Sequence, residues 1–131
     1  MAAVISFIDC INRGDLDGLT ALMADDHALL VLDEEPVIGR SANRDAWHGY
    51  FTAFPEYVVY PRQIVGSGGP VAVLGSTTGS HLGLPDAEEF ELDVVWLAEV
   101  VDGHLTRWQI ADDTPELRVR VGLSAAGLPS M

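Results

Sequence analysis

Lysine is absent from this 131-residue sequence, and its seven basic residues, all arginine, are outnumbered by twenty acidic ones. The formal net charge of −13 repels the phosphate backbone of nucleic acids, so we expect no nucleic-acid partner. The lack of a lysine amine also excludes catalysis through a lysine Schiff base. The acidic excess itself is most simply a contribution to solubility.

Cysteine and long apolar runs are scarce as well. Cys10 is the only cysteine, so no disulfide can form within the chain. Its position among apolar residues of a predicted helix favours a small buried side chain over a nucleophile. No apolar run reaches the length of about eighteen residues typical of a membrane span, and the N-terminus lacks the basic region of a signal peptide. We therefore expect a cytoplasmic protein without a membrane partner.

The patterns that bind metals and cofactors are also missing. His27, His48 and His104 do not have the spacing of a metal site, and the sequence has neither a His-Glu-x-x-His motif nor a cysteine pair. It has no glycine-rich phosphate loop, no nucleotide fingerprint and no Ser-His-Asp arrangement. We expect no metal and no cofactor.

What the sequence does contain is one domain's worth of regular structure, organised around residues 12–26. Apolar residues three and four apart predict a helix over residues 4–13 and a second helix that begins after Asp15. Gly14 suits the left-handed C-cap of the first helix, and Asp15 suits the N-cap of the second. Two helices joined by so short a turn fold back on each other and bury their apolar faces together.

The rest of the chain predicts a third helix and a series of strands. A short strand over residues 27–33 is broken by Glu34-Glu35-Pro36, and Ser41 is a candidate N-cap for a helix that Pro55 ends. Asp102-Gly103 is the strongest hairpin signal between the strands that follow. Those four strands are predicted over residues 57–65, 71–82, 89–101 and 104–113. Helices followed by a meander of antiparallel strands indicate an α+β domain.

Five segments, in their order and spacing, carry a family resemblance: Gly14-Asp15-Leu16-Asp17 between two helices, Gly39-Arg40, Phe54-Pro55, Gly79-Ser80-His81-Leu82-Gly83, and Asp102-Gly103-His104-Leu105 leading to Trp108 and Asp112. Together they resemble the nuclear-transport-factor-2-like superfamily and, within it, the SnoaL-like polyketide cyclases. The resemblance covers residues 4–113 of a single SnoaL-like domain, residues 1–131, with a tail over residues 114–131. It implies a cone-shaped, curved antiparallel sheet packed by three N-terminal helices, as in cystatin-like folds.

A curved sheet closed by helices leaves an apolar cavity, which is the default site for a ligand. Trp47, Tyr50 and Phe54 form an aromatic stripe on the third helix that either lines such a cavity or packs in the core. On the last strand, Trp108 and Ile110 share a face that should turn inward. We predict that these residues contact a ligand.

One predicted strand is apolar on both alternations and should be covered on both faces. We expect Val95 and Leu97 to face the cavity and contact a ligand. The opposite face then requires a different cover, either a second copy in a homodimer formed through the sheet or the C-terminal segment, residues 116–131, folded back over it. That face carries Val94, Trp96 and Ala98.

Asp112 is the leading candidate for an acid–base residue. It follows Trp108 and Ile110 at the same alternation, so it would end the inner wall of the cavity, where burial raises the pKa of a carboxyl group. The resemblance implies the same role, because SnoaL-like cyclases use an aspartate late in a strand. Alternatively, Asp112 and Asp113 are a polar strand end that caps a turn.

Asp33 and His81 are the other catalytic candidates. Asp33 shares a strand face with Leu29 and Val31 and lies two residues from where the resemblance implies the base of steroid-isomerase-like members; a solvated strand end is the alternative. His81 shares a face with Thr77. As a neutral imidazole it could orient or polarise a carbonyl, or it is a partly buried histidine with one satisfied hydrogen bond.

The resemblance also removes two mechanisms. The oxyanion-hole positions of steroid-isomerase-like members fall on Phe7 and near Val95, and neither side chain can donate a hydrogen bond. Epoxide-hydrolase-like members need an Asp-Arg-Asp set in the pocket, and Arg107 has the wrong alternation for it.

Our hypothesis is a homodimeric protein that binds a small, mostly apolar carbonyl or aromatic molecule in an internal cavity. Asp112, assisted by His81, would remove a proton next to a carbonyl in a cofactor-free aldol cyclisation or isomerisation. The alternative is a non-catalytic ligand-binding or interaction module of the same fold.

Overall fold

The computed structural model describes residues 1–66 and 70–124. The helices in this part of the chain are α1 (Ala2–Arg13), α2 (Leu16–Ala21), α3 (Arg40–Ala53), α4 (Asp86–Phe90) and α5 (Pro115–Val121). The strands are β1 (Met23–Leu30), β2 (Val37–Ile38), β3 (Val58–Val65), β4 (Val71–Thr78), β5 (Val94–Val101) and β6 (His104–Ala111). No helix in these ranges is both long and apolar enough to span a membrane.

The turn between α1 and α2 forms as the sequence predicts. Gly14 adopts φ 62°, in the left-handed region that only glycine enters without strain. The backbone N–H of Asp15 donates to the carbonyl of Cys10 at 2.9 Å, and the Asp15 carboxylate accepts from the N–H of Gly18 at 3.0 Å. These hydrogen bonds satisfy backbone groups at the end of α1 and at the start of α2, and both predicted caps are confirmed.

The start of α3 differs from the prediction that Ser41 caps it. The helix begins at Arg40, and its N-cap is Gly39, with φ 100° and no capping side chain. Gly39 donates its N–H to the carbonyl of His27 at 2.8 Å, which ties the beginning of the helix to β1. The side-chain amide of Asn43 donates to two nearby backbone carbonyls, that of Gly39 at 2.8 Å and that of His27 at 3.0 Å.

The six strands form one sheet in the order β2-β1-β6-β5-β4-β3. All neighbouring pairs are antiparallel except β1 and β6, which run parallel and pair Leu29 with Trp108. The α+β class and the three N-terminal helices are confirmed, and the sheet is mixed rather than purely antiparallel. The predicted strand at residues 27–33 is displaced toward the N-terminus, because β1 begins at Met23 directly after α2.

A β-bulge decides which face of β5 meets the helices. Between Glu99 and Val100 the register with β6 shifts by one residue, so Ala98 pairs with Trp108 and Trp96 with Ile110. A shift of one residue exchanges the two faces of a strand. The prediction that Val95 and Leu97 face the cavity is therefore wrong, since the side chains that join the core under α1 are those of Val94, Trp96 and Ala98.

Helix α5 covers part of the opposite face of the sheet. Leu117 and Leu123 pack there with Val95 and Leu97. The C-terminal segment therefore folds back over the sheet, but on the face opposite to the one that was predicted. Residues 125–131 of that segment lie outside the described residues. The homodimer stays a prediction, but not through the predicted face, because Val94, Trp96 and Ala98 belong to the core of this chain. Light scattering at micromolar concentration tests it, because a protein that remains at the monomer mass of 14.1 kDa contradicts it.

Arg118 attaches α5 to the end of the sheet. Its side chain is 3% exposed, and its Nε and one Nη lie 2.7 Å from the two carboxylate oxygens of Asp113. The guanidinium also donates to Asp93 at 3.0 Å and to the Ser124 carbonyl at 2.9 Å. Asp113 is thus a structural partner of Arg118 and not a member of a catalytic group.

Candidate functional site

A cavity of about 850 Å³ lies between α3, the inner face of the sheet and two loops. It opens to solvent beside two exposed leucines, Leu32 and Leu82, which are 49% and 51% exposed. Most of its wall is apolar or aromatic. The wall includes Leu29, Glu34, Glu35, Ala46, Trp47, Tyr50, Tyr57, Thr77, Ser80, His81, Val94, Trp96, Trp108 and Ile110.

Four of the predicted ligand-contacting residues line this cavity: Trp47, Tyr50, Trp108 and Ile110. Phe54 is outside the wall, but its ring packs on that of Tyr50 with a centroid distance of 4.8 Å. The remaining two, Val95 and Leu97, belong to the opposite face of the sheet and do not reach the cavity.

All three tryptophans of the chain line the cavity, although the sequence predicted this for only two of them. The ring of Trp96, missed because of the bulge in β5, stacks on Trp108 at a centroid distance of 6.0 Å and an angle of 21°. On the other side, Trp47 meets Phe7 of α1 edge to face at 6.3 Å. Every tryptophan of the chain therefore lies at the cavity, and the fluorescence of these rings would respond to a ligand.

Asp112 does not reach the cavity, which corrects its predicted position. Strand β6 ends at Ala111, and Asp112 is exposed in the segment that leads to Thr114, the side-chain N-cap of α5. Alternation along a strand fixes side-chain direction only while the strand continues. Asp112 therefore corresponds to the alternative reading, a polar end of the strand.

Asp33 is displaced from the cavity in the same way. It follows the end of β1 in a turn, with φ 61°, and is exposed outside the cavity wall. This matches the alternative of a solvated strand end. The carboxylates that do line the cavity are its neighbours Glu34 and Glu35, which the sequence analysis treated only as a strand breaker.

His81 lies at the mouth of the cavity on the turn after β4, not in the strand that was predicted to extend to residue 82. Gly79 makes this turn possible, because its φ is 71° and a Cβ there would lie 2.4 Å from the carbonyl oxygen of Glu56. The imidazole Nδ1 of His81 is 2.8 Å from the phenol oxygen of Tyr50, a hydrogen bond that joins the turn to α3.

The hydrogen bonds of Tyr50 indicate the proton positions in this pair. Its phenol oxygen accepts the backbone N–H of His81 at 3.3 Å, so we assign its own proton to the bond with Nδ1. Burial raises the pKa of the Tyr50 phenol and keeps that proton in place at neutral pH. A neutral His81 then carries its ring proton on Nε2, the donor that remains for a ligand.

Glu89 is a buried carboxyl group beside the cavity that the sequence analysis missed. It is 1% exposed on α4, where it accepts from the hydroxyl of Thr77 and from the backbone N–H of Ser80. Residue 89 was predicted to begin a long strand, but β5 starts only at Val94. The signal for α4 was Pro85 followed by acidic residues, a common start of a helix.

Two other buried side chains that could take part in chemistry, His27 and Cys10, lie in the core away from the cavity. His27 is fully buried and its Nδ1 lies 2.7 Å from the Leu105 carbonyl, and burial lowers its pKa so that it is neutral. Burial likewise raises the pKa of the Cys10 thiol, in agreement with the structural reading of this residue. Neither residue lines the cavity. The described residues contain no group of three or more side chains that could hold a metal ion.

Comparison with known proteins gives a family and a set of structural neighbours. The sequence matches the SnoaL-like domain family over residues 4–108. A putative polyketide cyclase from Sinorhizobium meliloti superposes with a TM-score of 0.71 at 22% identity, covering 85% of this chain and 94% of its own. No protein with a curated description matches the sequence significantly.

Two further neighbours have a known bound compound or a known role. TerC, crystallised with polyporic acid, superposes with a TM-score of 0.70 at 18% identity over 92% of this chain and 96% of its own. The epoxide hydrolase/cyclase-like enzyme SalBIII of salinomycin pyran-ring formation has a TM-score of 0.67 at 18% identity, over 83% and 86%. At these identities the likeness shows the fold alone.

The family match extends over most of the chain, and the helices and six-stranded sheet have the arrangement of these neighbours. The chain therefore belongs to the SnoaL-like domain family and has the nuclear-transport-factor-2-like, cystatin-type fold.

Proposed function

We propose that the cavity binds a small, mostly apolar molecule that carries a carbonyl group or an aromatic ring. A volume of about 850 Å³ is within the range of small-molecule pockets, roughly 300–1,000 Å³. The partly exposed rings of Tyr50 and Tyr57 offer aromatic surface to a ring system, and the nearly buried rings of Trp47, Trp96 and Trp108 complete the wall. The crystallisation of TerC with polyporic acid and the role of SalBIII in pyran-ring formation are consistent with a fold that binds small organic molecules.

The observation that carries this proposal is the Tyr50–His81 hydrogen bond at the wall of a mostly apolar cavity. The Nε2–H of His81 would donate to the carbonyl oxygen of the ligand and stabilise negative charge on it. A carboxylate of Glu34 or Glu35, which line the same cavity, would take the proton from the adjacent carbon. The resulting enolate then reacts in an aldol closure, or regains a proton elsewhere in an isomerisation.

A second candidate, ligand binding without catalysis, is favoured by the exposure of His81. Water competes for a donor at the mouth of a cavity and weakens its effect on a carbonyl. In this case the Tyr50–His81 pair orients the ligand and no bond is broken.

Binding is tested by a fluorescence titration with 2-tetralone, a neutral bicyclic ketone. Because every tryptophan of the chain lines the cavity, we expect saturable quenching. Ala46→Phe places a ring into the cavity from α3 and should weaken binding at least about tenfold, or about 1.4 kcal/mol. Ala42→Phe is the matched control, since Ala42 is exposed one turn earlier on the same helix.

The two variants separate cavity binding from adsorption to the surface. If Ala46→Phe binds 2-tetralone as tightly as the wild type does, or if Ala42→Phe weakens binding equally, the ligand is not in this cavity. Absence of any quenching by 2-tetralone contradicts the proposed binding of an apolar carbonyl compound.

A further inference from the structure

Glu89, Thr77 and Ser80 form a polar corner at the cavity, which we term the Glu89 corner. All three are buried, with exposures of 1%, 5% and 8%, and Thr77 and Ser80 belong to the cavity wall. The hydroxyl of Thr77 donates to one carboxylate oxygen of Glu89, and the backbone N–H of Ser80 donates to the other at 3.4 Å. The carboxylate therefore lies directly behind the wall and acts on the cavity through Thr77.

No positive charge accompanies this carboxylate. All seven arginines lie within the described ranges, and the ion pairs that they form involve other carboxylates. A carboxylate buried without a cation costs several kcal/mol unless hydrogen bonds compensate. Buried charges in stable protein cores are normally paired, and exceptions to this pattern are expected at functional sites.

The hydrogen bond to Glu89 decides what Thr77 offers to a ligand. A threonine hydroxyl has one proton, and here that proton is directed to the carboxylate. Only the lone pairs of the Thr77 oxygen remain for the cavity. This oxygen therefore accepts a hydrogen bond from a ligand hydroxyl or ammonium group, and it has nothing to donate to an ether or a carboxylate.

The charge of the remaining wall points in the same direction. Glu34 and Glu35 line the cavity, and none of its lining residues is an arginine. A ligand carboxylate would find no fixed cation there and would enter against two glutamates and a net charge of −13. A neutral or positively charged ligand meets no such opposition, and aromatic rings also attract cations.

We infer that the ligand carries a hydrogen-bond donor, a hydroxyl or a protonated amine, which Thr77 accepts with Glu89 behind it, and that the cavity discriminates against anions. The inference rests on the proposed function, and with the carbonyl at His81 it specifies a neutral or cationic carbonyl compound that also bears a donor. Thr77 is the specificity-determining contact. Glu89 is a positioning residue, since it acts by fixing the proton of Thr77.

Calorimetric titration with four naphthalenes of one ring size tests this selectivity. We expect 2-naphthol to bind about tenfold more tightly than 2-methoxynaphthalene, because only the former can donate to Thr77. The cation 2-naphthylmethylammonium should bind, and 2-naphthoate should bind at least about tenfold more weakly than 2-naphthol. These comparisons use the wild-type protein and do not depend on the folding of any variant.

Substitutions then locate the preference at the Glu89 corner. Thr77→Val keeps the shape of the side chain and should equalise the affinities for 2-naphthol and 2-methoxynaphthalene, leaving the latter unchanged. Glu89→Gln should reduce the preference as well, because its amide can give a proton to Thr77. Thr78→Val is the matched control: its hydroxyl is bonded to Tyr60 at 3.1 Å outside the cavity wall, so the preference should persist.

Each outcome has a distinct consequence. Equal affinity of the wild type for 2-naphthol and 2-methoxynaphthalene overturns the donor requirement while ligand binding stands. Binding of 2-naphthoate as tight as that of 2-naphthol overturns the discrimination against anions. An equal loss of preference in Thr78→Val and Thr77→Val removes Thr77 as its source. If none of the four compounds binds, the proposed function fails and this inference fails with it.

Discussion

His81→Phe is expected to lower the rate at which the protein exchanges the α-protons of 2-tetralone in D₂O by about a hundredfold. Exchange reports the proposed step itself, removal of a proton next to a carbonyl, and requires no knowledge of the natural substrate. Phenylalanine keeps a flat ring against Tyr50 and Phe54 but removes the Nε2–H that would stabilise the enolate oxygen. Proton NMR measures the loss of the α-proton signal over time.

Two variants on α3 complete this experiment, a control at His48 and a test of the partner of His81 at Tyr50. His48→Phe makes the same chemical change at an exposed position of α3 outside the cavity wall, and its exchange rate should equal that of the wild type. Tyr50→Phe removes the partner of Nδ1 and should lower the rate by about tenfold. A wild-type rate no higher than that of buffer excludes catalysis and leaves ligand binding; an unchanged rate in His81→Phe removes His81 from the reaction.

Arg118→Ala is expected to lower the free energy of unfolding by about 3 kcal/mol. The substitution leaves the partly buried carboxylates of Asp113 and Asp93 without their shared partner and releases the Ser124 carbonyl. Helix α5 would then lose its attachment to the sheet, and the apolar face carrying Val95 would meet water. Chemical denaturation followed by circular dichroism measures the change.

Arg120→Ala is the control for Arg118→Ala, because Arg120 is exposed on the same helix and should change stability by less than about 0.5 kcal/mol.

Burial raises the pKa of Asp93, but hydrogen bonds from Arg62 and Arg118 outweigh it and hold the pKa below its ordinary value of 3.8. Folded Asp93 thus loses its charge only at lower pH than unfolded Asp93 does, so its contribution is complete above pH 3.8 and is lost below it. The difference between Arg118→Ala and the wild type should shrink over that range. A loss below about 1 kcal/mol at neutral pH contradicts this role of Arg118.

Local signals in the sequence predicted the parts of the fold that short-range chemistry determines. Gly14 and Asp15 define the turn between α1 and α2 because a positive φ and a side-chain cap are needed within two adjacent residues. Asp102-Gly103 predicts the β5–β6 hairpin for the same reason, and both residues adopt positive φ, 52° and 80°. In each case the physical requirement and the residues that meet it are neighbours in the chain.

The errors in the predicted site arise where the outcome depends on contacts between distant residues. The bulge at Glu99 exchanges the faces of β5, so Trp96 lines the cavity in place of Val95 and Leu97, and no local motif marks that position. Asp112 was assigned from an alternation that stops at Ala111, where the chain turns toward α5. Glu89 was missed because α4 is a short helix whose place beside β4 is set by tertiary packing.

His81 shows that a residue can be identified by its sequence context while its surroundings cannot. The Gly-Ser-His-Leu-Gly segment indicated the histidine, but placed it within a strand. Its partner Tyr50 lies 31 residues away and was predicted only as part of an aromatic stripe. The hydrogen bond that gives the pair its chemistry requires the turn at Gly79 and the position of α3, which only the folded chain brings together.

A crystal structure of the protein grown with 2-tetralone decides whether the cavity is the ligand site. The bicyclic ring should lie in the cavity lined by Trp47, Trp96 and Trp108, with its carbonyl oxygen within hydrogen-bond distance of His81 Nε2. A ketone bound elsewhere on the surface, or a cavity closed by its own side chains while 2-tetralone still quenches the tryptophans, would contradict the proposed site.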